Sequence, residues 1–249
     1  MSNQLQCLIF DVDGTLANTE RDGHRVAFNR GFQAAGLDWH WSVDLYGELL
    51  TVSGGKERLK YFLRQYLPEF KPDGELNDFV AHLHQLKTKY YLDLMRNGAI
   101  GLRPGAKRLI EEARAAGITL AIATTTSLPN VIALLEKYLD LDWFAVIAAG
   151  DIVPAKKPAP HIYHYVIKRL ELDPDRVIVV EDSDNGLESA IAAGLTTVVT
   201  VNNYTEQQDF SQAALVVSDL GEPKQPCRVI QGNFAGNYLD IAGLRSLIR

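Results

Sequence analysis

The sequence predicts an α/β protein with three layers, a parallel sheet between helices, and an all-helical segment inserted near its start. Three observations carry this. A short apolar run, Leu8-Ile9-Phe10, ends on two aspartates and a glycine, Asp11-Val12-Asp13-Gly14. About eighty residues of helical pattern come next. Beyond Arg103, continuous apolar strands alternate with helices, as expected where both faces of a sheet are covered.

The elements follow in order. After Leu16, apolar side chains at Val26, Ala27, Phe32 and Ala35 predict a helix over Glu20–Ala35, stopped by Gly36. Trp39, Trp41, Leu45, Tyr46, Leu49 and Leu50 predict a second helix, and Leu59, Phe62, Leu63 and Tyr66 a third beyond Gly54-Gly55. Lys71-Pro72-Asp73-Gly74 reads as a loop, and a fourth helix runs from about Leu76 to Met95, ended by Asn97-Gly98. From Arg103-Pro104-Gly105 onward, helices at 105–116, 128–139, 159–171 and 185–193 precede strands at 119–123, 144–148, 176–180 and 196–200, respectively. This is a Rossmann-like arrangement, whose ligands bind at the carboxyl ends of the strands. The stretch from Gly221 to Asn237 shows no period; a short helix is expected near 238–248.

Composition narrows the class. Of 249 residues, 47% are hydrophobic and 22% charged, enough for a substantial core. The net charge of −6 and the lack of a basic stripe speak against nonspecific nucleic-acid binding. Cys7 and Cys227 form no close-spaced metal motif, and Cys7 reads as a packing residue. No apolar stretch reaches membrane-spanning length, and Met1-Ser2-Asn3-Gln4 has no signal-peptide pattern. The expectation is a cytoplasmic monomer without membrane or nucleic-acid partners.

Four strand ends carry the chemistry. The first presents Asp11 and Asp13, which alternation along an extended chain can aim into one space. Two such acids repel each other unless a cation shares the site, and Mg²⁺ prefers oxygen ligands. The second presents Thr124, then Thr125, Thr126 and Ser127; the third leads through Asp151 to Lys156-Lys157; the fourth presents Glu181-Asp182-Ser183. Singly, each has a plain structural reading: Asp11-Val12-Asp13-Gly14 as a polar turn, Thr124 as a helix cap, Lys157 as a surface lysine, Glu181-Asp182 as a helix N-terminus. Together at one edge they suit metal-assisted phosphoryl transfer. Asp11 would attack phosphorus, and Asp13 would protonate the leaving oxygen and then activate water. Asp11, Asp182 and the carbonyl of Asp13 would hold Mg²⁺, with Glu181 in support. Lys157 and Thr124 would stabilise the phosphoryl oxygens.

With these residues in place the chain resembles the haloacid dehalogenase superfamily of phosphotransferases. Asp11-Val12-Asp13-Gly14-Thr15 matches its first motif, Thr124 its second, Lys157 its third and Glu181-Asp182 its fourth, over about residues 5 to 220. The resemblance implies a core of 1–16 and 98–249 and a helical cap of 17–97, hinged near Leu16 and Gly98. A nearer likeness is to the CbbY group, carried by Gly36-Leu37-Asp38-Trp39-His40-Trp41, Ser53-Gly54-Gly55-Lys56-Glu57-Arg58 and Ala123-Thr124-Thr125-Thr126-Ser127-Leu128-Pro129-Asn130. That likeness implies removal of a phosphate from xylulose-1,5-bisphosphate, an inhibitor of Rubisco. It assigns Glu20, Tyr46, Gly54, Gly55, Lys56 and Lys87 to the distal phosphate and sugar hydroxyls, and His24 to a place beside the general acid. Arg58, Thr125 and Asn130 join the expected substrate-binding set. Glu20 and His24 stand one residue further apart than in that group's pattern, and His161 replaces an acidic residue common after Lys-Pro-x-Pro.

Other readings remain at this point: a β-phosphoglucomutase-like mutase, a phosphoglycolate phosphatase and, more distantly, a non-catalytic sugar-phosphate sensor. Gly54-Gly55-Lys56 favours the CbbY pattern over the mutase one. A dead sensor would be expected to have lost Asp11 or Asp13.

Overall fold

The computed structural model describes residues 4–98 and 100–248. Residues 1–3, 99 and 249 lie outside that description. So do part of the expected linker beside Gly98 and the reading of the first residues as free of a signal peptide. Among the described residues no helix is long and apolar enough to cross a membrane.

Seven strands form one sheet in the order β3-β2-β1-β4-β5-β6-β7. They are β1 (Cys7–Phe10), β2 (Thr119–Thr124), β3 (Val146–Ala149), β4 (Val177–Glu181), β5 (Thr196–Thr200), β6 (Leu215–Val217) and β7 (Val229–Gln231). All neighbours are parallel except β6 and β7. β1 lies between β2 and β4, and β3 flanks β2, so all four chemistry-bearing strand ends are adjacent.

Alternation along the strands separates two apolar layers. Leu8, Phe10, Leu120 and Ile122 pack with α5 (Ala106–Ala115), α6 (Leu128–Tyr138) and α9 (Ile241–Arg245). Cys7, Ile9, Ala121 and Ala123 face α7 (His161–Leu170) and the Ala190 end of α8 (Asp184–Ala192). Burial pushes the Cys7 thiol up to about 12, which fits a packing role.

Between β1 and α5 the chain builds α1 (Arg25–Ala34), α2 (Val43–Leu49), α3 (Gly55–Tyr66) and α4 (Leu76–Arg96). Their aromatic cluster is distinct from the sheet's layers: Phe28, Phe32, Trp41, Tyr46 and Phe62 interlock. Trp41 is fully buried, with its ring centroid 4.6 Å from that of Phe28 and 4.9 Å from that of Phe32. Truncating such a side chain costs about 3–5 kcal/mol.

Several expected boundaries move. The second helix begins at Val43, not near Trp39, because Ser42 caps it by accepting from Leu45 N–H; Trp39 and Trp41 enter the aromatic cluster from non-helical chain. The strand expected at 144–148 lies at Val146–Ala149. The first helix opens with a π-turn, Glu20–His24, in which Arg25 N–H donates to Glu20 C=O five residues back. The unperiodic stretch supplies β7, which pairs with β6, and Asp240 caps a terminal helix of only Ile241–Arg245.

Candidate active site

Asp11 follows β1 directly, its N–H continuing the ladder onto Val180 C=O at 3.0 Å. Its Oδ1 accepts from Lys157 Nζ at 2.7 Å. The same ammonium donates to Ala123 C=O at 2.8 Å and Glu181 Oε1 at 2.5 Å, so Lys157 ties the ends of β1, β2 and β4 together. It is 5% exposed and therefore no surface lysine. Burial would lower the Lys157 pKa, but Asp11 and Glu181 outweigh it and hold the group charged. Glu181 is fixed further by the Tyr163 hydroxyl. Thr124 is buried at the end of β2, and α6 starts instead from Ser127. Ser183 caps α8 by accepting from Gly186 N–H, so Glu181-Asp182 both ends a strand and precedes a helix.

Asp11, Glu181 and Asp182 each offer a carboxylate oxygen within 4.8 Å of the others. Burial is the largest influence on Asp11, which sits up at about 8; Lys157 opposes the shift while Glu181 and Asp13 add to it. Asp182 is likewise pushed well up, by burial and then by Asp11 and Glu181. Three buried carboxylates facing one ammonium are short of positive charge. A hard divalent cation among them removes that deficit, so the donor set fits one. Gly14, at φ +87°, lets the turn pass against this cluster: a Cβ there would strike the Asp182 carboxylate and come within 2.8 Å of Asn202 Nδ2. Asn202 donates to Asp182 Oδ2 at 2.7 Å.

Asp13 turns away from that cluster. Its carboxylate accepts from the Thr19 hydroxyl and lies 2.9 Å from His24 Nε2. Burial works to raise its pKa, but His24, Thr19 and Lys87 bring it below the ordinary carboxylate range. The His24 ring stacks on Tyr91 with centroids 4.3 Å apart. The π-turn Glu20–His24 shapes this arrangement. It leaves His24 against Asp13.

Two adjoining cavities, of 70 and 310 Å³, share Asp13, Glu20, Arg58 and Thr125 in their walls. The smaller reaches Asp11, Thr124, Lys157 and Asp182; the larger is lined by Gly54, Gly55, Lys56, His84, Lys87 and Lys156. Tyr46 donates to Glu20 Oε2 at 2.5 Å and accepts from Arg58 Nη1 at 2.9 Å; Arg58 Nε also donates to Leu49 C=O. These three form one buried network instead of three free contacts. Lys87 is buried between the rings of Phe28 and Tyr91, and burial lowers its pKa to about 8 against the pull of Asp13 and Glu20. Lys56 is paired with Asp151. Asn130 is 1% exposed, its side-chain amide has no hydrogen-bond partner among the described residues, and it lines neither cavity.

Sequence reasoning missed Asn202, Tyr163, Thr19 and Asp151 as members of this site. Asn202 was findable, since it lies just past the end of β5, where the strand-end rule already pointed. Tyr163 sits on the apolar face of α7, and nothing in the local pattern marks it.

A haloacid dehalogenase-like hydrolase model matches residues 5–194. Protein CbbY of Cupriavidus necator is 44% identical over 245 residues, covering 97% of this chain and 96% of that protein. Among solved structures, CbbY from Rhodobacter sphaeroides in complex with phosphate is similar, with TM-score 0.80, 46% identity and coverage of 87% of this chain and 95% of that one. A mutant of that protein in complex with xylulose-1,5-bisphosphate gives TM-score 0.81 and 45% identity at the same coverage.

Proposed function

The chain belongs to the haloacid dehalogenase-like hydrolases, and from that premise we propose a Mg²⁺-dependent phosphatase that converts xylulose-1,5-bisphosphate to xylulose 5-phosphate through an aspartyl phosphate. The observation that carries the reading is the meeting of Asp11, Lys157 and Asp182 in the smaller cavity, continuous with a larger one that three lysines line. The similarity to proteins described as CbbY, one of them bound to xylulose-1,5-bisphosphate, supports the choice of sugar bisphosphate.

In this reading Asp11 Oδ attacks the phosphorus in line with the sugar oxygen, which leaves carrying a proton that Asp13, ionised before substrate binds, takes up as the substrate's dianion arrives beside it. Asp13 then takes a proton from the water that opens the aspartyl phosphate. His24 and Thr19 hold its carboxylate in place for both transfers. Lys157 and Thr124 neutralise and orient the phosphoryl oxygens. Mg²⁺ held by Asp11, Asp182 and the carbonyl of Asp13, with Glu181 in support, would supply further charge neutralisation at those oxygens. The distal phosphate and sugar lie in the larger cavity, against Gly54, Gly55, Lys56 and Lys87, with Glu20 and Arg58 as its shared wall and Tyr46 buried behind them. Residues 17–97 act as a cap that closes over the core at 1–16 and 98–249 and excludes water during the chemistry. The enzyme works as a cytoplasmic monomer.

Phosphate release from xylulose-1,5-bisphosphate, ribulose-1,5-bisphosphate, β-glucose-1-phosphate and phosphoglycolate, each with Mg²⁺ and with EDTA, tests this. A strong Mg²⁺-dependent preference for the first is expected. Conversion of β-glucose-1-phosphate to glucose-6-phosphate with little phosphate release would replace the phosphatase with a mutase.

A further inference from the structure

At the mouth of the larger cavity, four charged side chains alternate in sign across the line where α3 meets the loop after β3. Lys56 donates to one carboxylate oxygen of Asp151. Lys156 Nζ lies 2.9 Å from the other oxygen and 3.4 Å from Glu57. Both lysines line the cavity, beside Gly54 and Gly55 at the start of α3. Gly54 stands at φ +94°, and a Cβ there would meet Lys156 Cδ at 2.7 Å, so the backbone and this lysine are in close approach. The carboxylate between the two ammoniums is half-exposed, at 55%, while Lys156 is only 14% exposed.

The surroundings favour an anion even with Asp151 present. His84, in the cavity wall, is lowered to about 3, first by burial and then by Lys87, Lys56 and Lys156. Hydrogen bonds from Lys56 and then Lys156 hold Asp151 down at about 2, so it is ionised at any working pH. A single carboxylate charge on two lysines is a weak match compared with a phosphate dianion, which can also reach the N–H groups at the start of α3. Asp151 can leave the lysines without entering a new environment, because its side chain already borders water.

We propose that Asp151 is a specificity-determining residue, a stand-in anion that holds Lys56 and Lys156 until the second phosphate of a bisphosphate displaces it. The inference rests on the distal phosphate binding in this cavity. A monophosphate leaves the Lys56–Asp151–Lys156 pairing intact and gains nothing from either lysine. A bisphosphate exchanges one half-exposed carboxylate shared by the two ammoniums for a dianion on the same two. A fixed supporting role, in which Asp151 pre-positions the lysines and stays bound to them, predicts the opposite sign when its charge is removed.

The test measures kcat/KM for xylulose-1,5-bisphosphate and for p-nitrophenyl phosphate in the wild type, Asp151→Asn, Lys56→Ala and the double variant, all with Mg²⁺. The ratio of the two values is expected to rise roughly two- to fivefold in Asp151→Asn at low salt, the worth of an exposed pair. The gain should shrink at high salt and nearly vanish in the Lys56→Ala background. An unchanged or lower ratio in Asp151→Asn overturns the exchange. A wild type that hydrolyses the bisphosphate while Asp151→Asn leaves the ratio unmoved defeats this inference alone. A wild type that neither hydrolyses the bisphosphate nor is inhibited by it defeats the proposed function as well.

Discussion

The two walls of the candidate site are built differently. On the sheet side, Asp11, Lys157, Glu181 and Asp182 are all at most 6% exposed; the three acids stand on or next to strands locked in a parallel ladder, and Lys157 reaches them from the loop before α7. On the helical side, Lys56 is partly exposed and meets the half-exposed Asp151 of the loop after β3 across the junction of the two elements. A buried ladder holds carboxylates and a lysine at fixed separations without their having to move, which suits electrostatic stabilisation of a transition state. An exposed pair can exchange partners, which suits recognition of a varying substrate. The contrast predicts that changes on the sheet side abolish chemistry, whereas changes on the helical side redistribute substrate preference.

Substitutions should separate the two walls by size of effect. Asp11→Asn should lower kcat by about 10⁴-fold or more, in the range seen when a nucleophile is removed, without loss of fold; single-turnover phosphate release and circular dichroism check both halves. Near-normal turnover would remove Asp11 as nucleophile. Chelation with EDTA should abolish turnover, and Mg²⁺ should raise the Tm of the wild type by binding the folded state, an increase that Asp182→Asn should diminish. A Tm indifferent to Mg²⁺ would count against the acidic cluster as its site.

Lys87 belongs structurally to the helical wall yet is buried like the sheet side, and so sharpens the comparison. Its pKa falls from 10.5 to about 8 on folding, so below pH 8 the folded state carries a charge it disfavours, on the order of 3 kcal/mol. Between pH 8 and 10.5 the folded protein binds fewer protons at this site than the unfolded chain, and this penalty fades as pH rises. Lys87→Met should therefore be more stable than wild type at pH 7, with a difference that shrinks toward pH 10.5. Urea denaturation at both pH values measures it, and a pH-independent difference would contradict the buried charge. Lys56→Ala should lower kcat/KM for the bisphosphate roughly tenfold more than for an aryl phosphate. Equal losses would detach Lys56 from the distal phosphate. Smallest is Tyr46→Phe, which removes a hydroxyl shared by Glu20 and Arg58 and should cost about 1 kcal/mol of stability, read from thermal unfolding, since those two still face each other at 3.9 Å.

Most of the α/β architecture was legible because its signals are local. Leu8-Ile9-Phe10 and Val177-Ile178-Val179-Val180 are apolar runs too short for helices and are bounded by polar turns, so strand and strand end could be read together. Ser42 was harder. Its capping bond ends the run from Trp39 by a contact three residues long, while the tryptophans before it carry a helix-like spacing they use only for packing. The three-residue strands β6 and β7 were invisible because each is too short to show a period.

The sequence by itself determined that Asp11, Thr124, Lys157 and Asp182 share one edge, because parallel strands joined by helices all end on the same side of their sheet. It determined too that the residues after Leu16 form a helical insertion. Only the tertiary structure decided which partner each side chain takes. Lys56 pairs with Asp151 across 95 positions, Tyr163 with Glu181 across 18, and Asn202 with Asp182 across 20. It also decided that a π-turn carries His24 onto Asp13. Periodicity reports which face of an element is apolar; it carries no information about which polar group on another element arrives opposite, and that is settled only when the faces pack.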